Sequence, residues 1–122
     1  MQIKTPGILA VLLFLSACSA HPGAGGWHAI SENAAFERLE IRYAGNADLY
    51  TKEDDKIAAW RCFWGAAGKQ TASLKCVDAG NADNEKTYLF VVDKQSKEGT
   101  LKLGEQVLGH YGWQPPTDPP EE

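Results

Sequence analysis

Trp60-Arg61-Cys62-Phe63-Trp64 is the stretch that has to be read either as the end of a helix or as a strand, and the fold follows from that choice. Its composition suits a pleated, half-buried surface, and Gly65 and Gly68 cut it short. Upstream, however, Thr51 precedes Lys52-Glu53-Asp54-Asp55, which puts carboxylates in a first helical turn where the helix dipole favours them. Ile57, Ala58, Trp60 and Arg61 then continue a helix, leaving its end open within residues 60–64.

A first helix is predicted over 32–44. Ser31 is a good N-cap, Glu32, Phe36, Leu39 and Tyr43 follow at roughly helical spacing, and Gly45-Asn46 supplies the stop. Beyond Gly68 the pattern turns to β. In Thr71–Val77, Ala72, Leu74 and Cys76 share one face while Ser73 and Lys75 take the other. Asp78 to Asn84 reads as a polar loop. Thr87-Tyr88-Leu89-Phe90-Val91-Val92-Asp93 is apolar and β-branched enough for a central strand. After a turn over Gln95–Gly99, Thr100–Leu103 alternates as a hairpin partner, and a last short strand covers Gln106–Tyr111. The expected class is therefore α+β, with two N-terminal helices followed by a small antiparallel sheet of three or four strands. The alternative is a small all-β barrel in which Trp60–Trp64 is the first strand and Cys62 and Cys76 lie on neighbouring strands.

The N-terminus carries a different kind of signal. Met1-Gln2-Ile3-Lys4 is a small positive region, and Gly7 to Leu15 is an apolar core too short to span a bilayer, which needs about 20 residues. Leu15-Ser16-Ala17-Cys18 closes it. These four residues resemble the lipobox of bacterial lipoproteins, in which the Cys receives diacylglycerol before cleavage in front of it. The resemblance implies residues 1–17 as signal peptide, lipidation (palmitate among the chains) on Cys18, and anchoring to the membrane through that lipid. Ser19 rather than Asp after the Cys implies the outer membrane. Whether the domain faces periplasm or exterior is not encoded. Residues 18–26, with Pro22, Gly23, Gly25 and Gly26, read as lipidated Cys plus flexible tether, 27–113 as the globular domain, and 114–122 as a disordered Pro-rich acidic tail.

Charge and cysteines narrow the function. With 12 basic against 16 acidic side chains the chain is acidic at −4, and losing Lys4 makes it more so. This argues against nucleic acid, which needs a basic footprint, and against anionic lipid headgroups. It would steer a basic partner toward the domain. Apart from Cys18, the only cysteines are Cys62 and Cys76, and export to an oxidising compartment predicts a disulfide between them. Closing a loop of this length is worth on the order of 3 kcal/mol in the chain-entropy model. His21, His28 and His110 are not spaced as metal ligands, and neither a metal site nor a cofactor is expected.

No catalytic motif is present: there is no Gly-x-Ser-x-Gly, phosphate-binding glycine loop or His-Glu-x-x-His. Asp54 and Asp55 are adjacent and do not face one another on a helix. The expectation is a binding protein of the cell envelope and not an enzyme. Its candidate contact residues are Trp64 and Trp113, beside glycines at element ends, and the carboxylates Asp83, Glu85 and Asp93. Trp60 and Phe63 are expected in the core. Tyr88-Leu89-Phe90 through Lys94 to Thr100-Leu101-Lys102 resembles the late strands of membrane-bound lysozyme inhibitors. That resemblance implies a basic c-type (host) lysozyme as protein partner, although the Ser-Gly-x-x-Tyr loop of that family is absent. The alternative is an envelope assembly or secretion-system accessory lipoprotein of the pilotin kind. Oligomeric state is not legible.

Overall fold

A computed structural model of the chain describes residues 21–114. They form eight antiparallel strands closed into one barrel, β1 (Gly25–Ala29), β2 (Arg38–Ile41), β3 (Asn46–Tyr50), β4 (Trp60–Ala66), β5 (Thr71–Asp78), β6 (Asn81–Asp93), β7 (Glu98–Leu103) and β8 (Gln106–Gln114). Each strand pairs with its neighbour in sequence, and β1 against β8 closes the ring, with Trp27 opposite Trp113. The α+β expectation is overturned, and the all-β alternative holds with one change: Trp60–Trp64 lies in the fourth strand and not the first.

Neither expected helix forms among the described residues. In Arg38-Leu39-Glu40-Ile41, Leu39 and Ile41 fill the barrel while Arg38 and Glu40 take the opposite face, a period of two, and there Glu40 is itself buried and paired with Arg38 at 2.8 Å. Phe36 and Leu39 are both buried, so their three-residue spacing imitates a helix face while the chain is already turning from loop into strand. Residues 51–59 form an irregular connection. Thr51 Oγ1 accepts from the Asp54 amide, and Asp54 Oδ1 accepts from the amides of Lys56 and Ile57, so the cap signals close a local turn that does not propagate. Ile57 is 64 % exposed and gives a helix no apolar face to bury.

The polar run expected as a loop over 78–84 is a hairpin. β5 and β6 pair from Thr71 opposite Val91 down to Val77 opposite Glu85, then shift register so that Asp78 faces Asn81. Cys62 and Cys76 are directly opposite on β4 and β5 and form the expected disulfide.

A barrel of this strand number has an interior just wide enough for side chains to fill it. Leu39, Ile41, Leu49, Leu74, Phe90, Leu101 and Tyr111 are fully buried there with Trp27. Phe90 meets Trp27 edge-on at 4.8 Å between ring centroids. Phe36, on the β1–β2 connection, meets Tyr88 edge-on at 5.9 Å and covers one end. Tyr111 fastens that cover, since its hydroxyl donates to the Phe36 carbonyl at 2.8 Å and accepts from the Phe36 amide at 3.2 Å. Phe63 corrects the core expectation: it points outward on β4 and is 76 % exposed, whereas Trp60 is half-buried against Tyr88.

Candidate functional site

In an up-and-down barrel the connections fall alternately at the two ends, so the register decides which residues share a site. At one end lie the β1–β2, β3–β4, β5–β6 and β7–β8 connections. Their exposed acidic side chains include Glu32, Glu37, Glu53, Asp54, Asp55 and Glu105, joined by Asp83 and Glu85 at the start of β6. Lys86 on this end is held over Trp60, its Nζ 5.4 Å from the ring centroid. Tyr88 lies just inside, and its pKa is raised by burial and secondarily by the Asp78 carboxylate. β6 pairs with β7 only from Leu89 to Asp93, so among the described residues its Asn81–Tyr88 segment has one edge bound to β5 and the other unpaired.

The opposite end holds the β2–β3, β4–β5 and β6–β7 connections, the start of β1 and the end of β8. Arg42, Lys69, Lys94 and Lys97 lie on these connections, and none of the three carries a carboxylate. The chain enters here. His21 Nε2 donates to the Gly68 carbonyl at 2.9 Å while its Nδ1 accepts from the Gly23 amide at 3.0 Å. His21 also stands edge-on to Trp64, with centroids 5.6 Å apart. β1 thus begins at Gly25, inside the segment expected as tether, and the chain is already held at His21.

Around this entry is an open cleft of about 300 Å³ with a mainly apolar lining. Trp27 forms its base, 1 % exposed, with Nε1 donating to the Gly23 carbonyl at 2.9 Å. Trp113 forms one wall, and its indole lies against Gly25, whose φ of 134° and lack of a Cβ both make room for it. Trp113 Nε1 donates to the Ala24 carbonyl at 3.2 Å. Tyr43, Lys94 and Lys97 complete the rim, with Lys97 Nζ 5.4 Å from the Trp113 ring centroid. A second depression, lined by Asp93, Ser96, Glu98, Thr100 and His110, backs onto the same β6–β7 hairpin.

The residues singled out from sequence therefore fall into two groups. Asp83 and Glu85 stand exposed at the acidic end. Trp64 and Trp113 are half-buried at the other end, where Trp64 Nε1 donates to the Arg42 carbonyl at 2.6 Å. Asp93 is also at that end, its Oδ1 accepting from the Gln95 and Ser96 amides and shaping the turn. Cys18 lies outside the described residues. Sequence reasoning missed Tyr43, Lys94 and Lys97, whose only signal is that even-to-odd connections of a meander meet at one end. No group of His, Cys, Asp and Glu among the described residues is arranged to hold a metal ion.

Fold and site together define a small closed barrel with a solid interior, so ligands meet its ends and walls. No family model, curated protein or solved structure matches the chain.

Proposed function

We propose that the chain is a lipid-anchored protein of the bacterial outer membrane, held through Cys18, whose barrel binds a basic protein partner with its acidic end, c-type lysozyme being the first candidate. The observation that carries this reading is the arrangement of charge along the barrel: Asp83, Glu85 and the carboxylates of residues 53–55 stand at the end opposite the one where the chain enters. A domain tethered by its N-terminus presents its far end to whatever approaches, and clustered carboxylates there accelerate encounter with a cationic surface and fix its orientation. The test is to add the chain from Ser19 onward, in excess, to c-type lysozyme and follow lysis of a cell-wall suspension. Lysis should slow, and Asp83→Asn with Glu85→Gln should restore it. Unchanged lysis with the unsubstituted chain drops lysozyme as partner.

One observation favours a second reading, an accessory of envelope assembly or secretion. The unpaired edge of β6 offers main-chain donors and acceptors to which an extended segment of a larger machine could add as a strand. Loss of the gene should then change the secreted or outer-membrane protein profile, and a normal profile counts against it.

A further inference from the structure

We propose that the cleft between Lys94, Lys97 and Trp113 is a membrane seat that takes the phosphate of an anionic phospholipid headgroup, so that the barrel stands on the bilayer with this end down. Its place at the membrane rests on the reading of Cys18 as the lipid attachment point; its affinity for the headgroup does not.

The first argument is reach. Cys18 precedes His21 by three peptide units, which span at most about 11 Å. His21 is fixed to the Gly68 carbonyl on the rim of the cleft. A lipid on Cys18 would hold this end, and no other, within that distance of the headgroups.

Charge is the second. The overall −4 of the chain opposes an anionic surface, but the charge is segregated. Arg42, Lys69, Lys94 and Lys97 surround the entry of the chain, and of these Arg42 is paired with Asp48 at 2.6 Å. Asp93 and Glu98 flank Lys94 and Lys97 in sequence but line the neighbouring depression, which meets the cleft at Val92, and Asp93 Oδ1 is taken up by the Gln95 and Ser96 amides. The acidic end is a strand length away, at about 3.4 Å per residue from Gln114 back to Gln106, several times the Debye length of about 8 Å at physiological salt. Its repulsion is therefore screened where the lysines act.

The third is the shape of the cleft. Trp113 and the exposed Tyr43 flank the lysines, and amphipathic rings of this kind settle at headgroup level. Lys97 has φ 59°, the one positive value among the non-glycine residues described. Such a backbone conformation is costly for a side chain with a Cβ. The turn would close more easily with glycine, yet it carries the ammonium that stands over Trp113. The positive φ belongs to the β6–β7 turn, which the Lys97 amide closes onto the Asp93 carbonyl; a lysine at a position where the turn itself favours glycine points to a use for the ammonium.

Residues 21–114 contain every strand of the closed barrel and its disulfide, so the chain from Ser19 onward keeps the whole fold without the leader. That chain is mixed with vesicles of phosphatidylcholine alone or with phosphatidylglycerol added, and partitioning is read by cosedimentation. It should bind the phosphatidylglycerol vesicles and not the others. Lys94→Gln with Lys97→Gln should lower the partition coefficient about thirty-fold, the usual worth of two lysines at an anionic surface. Lys52→Gln with Lys56→Gln, on the far connection, should leave it unchanged. No preference for phosphatidylglycerol, or equal losses from both pairs, overturns the proposal. So does saturable binding of glycerol phosphate without vesicles, which would make the cleft a site for a soluble anion. Mass spectrometry of the protein from membranes tests the anchor separately: an unmodified Cys18 removes the anchor and leaves a vesicle-binding cleft standing, while an acylated Cys18 with no lysine dependence does the reverse.

Discussion

The ring of Phe90 lies against the Cα of Gly99, close enough that a Cβ on residue 99 would overlap Cζ and come within 2.8 Å of both Cε atoms. The two residues stand diagonally across β6 and β7, with Gly99 opposite Val92 and Phe90 opposite Leu101. Phe90 has nowhere to retreat, because Trp27 and Tyr111 meet it edge-on. Gly99→Ala should therefore destabilise the barrel by about 1–3 kcal/mol, the usual cost of overpacking. Phe90→Leu, harmful alone, should recover part of that loss in the Gly99→Ala background. Chemical denaturation of the four variants of the cycle checks it, and additive losses would mean that the contact is not the cause.

Removing the disulfide by Cys62→Ala with Cys76→Ala should cost about 3 kcal/mol, from freeing the loop between the two residues in the unfolded chain. The two cysteines are partners across β4 and β5, and both are buried in the core cluster. Small cavities at the two vacated sulfurs add to the loss. A melting temperature equal to that of the parent protein would show that the bridge restrains nothing the strand pairing does not already hold.

The second half of the chain was legible where one strand face is buried and the other exposed, as in β5 and in β6 from Tyr88 to Asp93, whereas residues 81–87 are exposed on both faces and do not alternate, and the first of them read as part of a polar loop. The first half misled for a physical reason. Thr51 and Asp54 make the side-chain to main-chain hydrogen bonds of a helix start, and those bonds close an isolated turn equally well. Phe36 and Leu39 look like one helix face because a loop residue that covers the barrel end and a strand residue that fills it are both buried. The alternation of Leu39 with Ile41 and of Ala47 with Leu49 was the better signal, but each run is short. The site was less legible than the fold. Trp64 and Trp113 were found as aromatic residues beside glycines, whereas the lysines that join Trp113 sit on the β6–β7 turn and are brought there by the pairing of β7 with β8, in which Glu98 faces Gly112 and the Trp113 amide donates to the Lys97 carbonyl at 3.0 Å.

Alkaline pH should destabilise the protein through Tyr111. Burial, with a smaller contribution from the Glu37 carboxylate, pushes its pKa up to about 12 against the lowering effect of its bond to Phe36. In the unfolded chain a tyrosine titrates near pH 10. A group whose folded pKa lies above its unfolded value contributes stability that is fully present below the unfolded pKa and is lost as pH rises toward the folded one. Stability should thus fall between about pH 10 and pH 12. Tyr111→Phe should flatten this fall while lowering stability at neutral pH by about 1–3 kcal/mol, because the Phe36 amide and carbonyl lose their partner. Urea unfolding of both proteins across that range checks it, and parallel pH profiles would assign the alkaline loss to other groups, Tyr88 first among them.

Lys97 separates stability from binding at a single position. Asn is at ease in the left-handed region and lacks the ammonium, so Lys97→Asn relieves backbone strain while losing the stack on Trp113. Relief of the left-handed backbone is worth about 1 kcal/mol and the lost contact with Trp113 about 0.5–1 kcal/mol, and they oppose one another. Stability should therefore stay within about 0.5 kcal/mol of the parent value, whereas partitioning onto phosphatidylglycerol vesicles should fall about five-fold for the one lost lysine. Lys97→Val is the complement. A β-branched residue at this φ strains the β6–β7 turn and should destabilise the barrel by more than about 1 kcal/mol, showing that the backbone there is held by the fold and not by the lysine. If Lys97→Asn bound vesicles as tightly as the parent chain, the strain at residue 97 would have to be explained without the membrane.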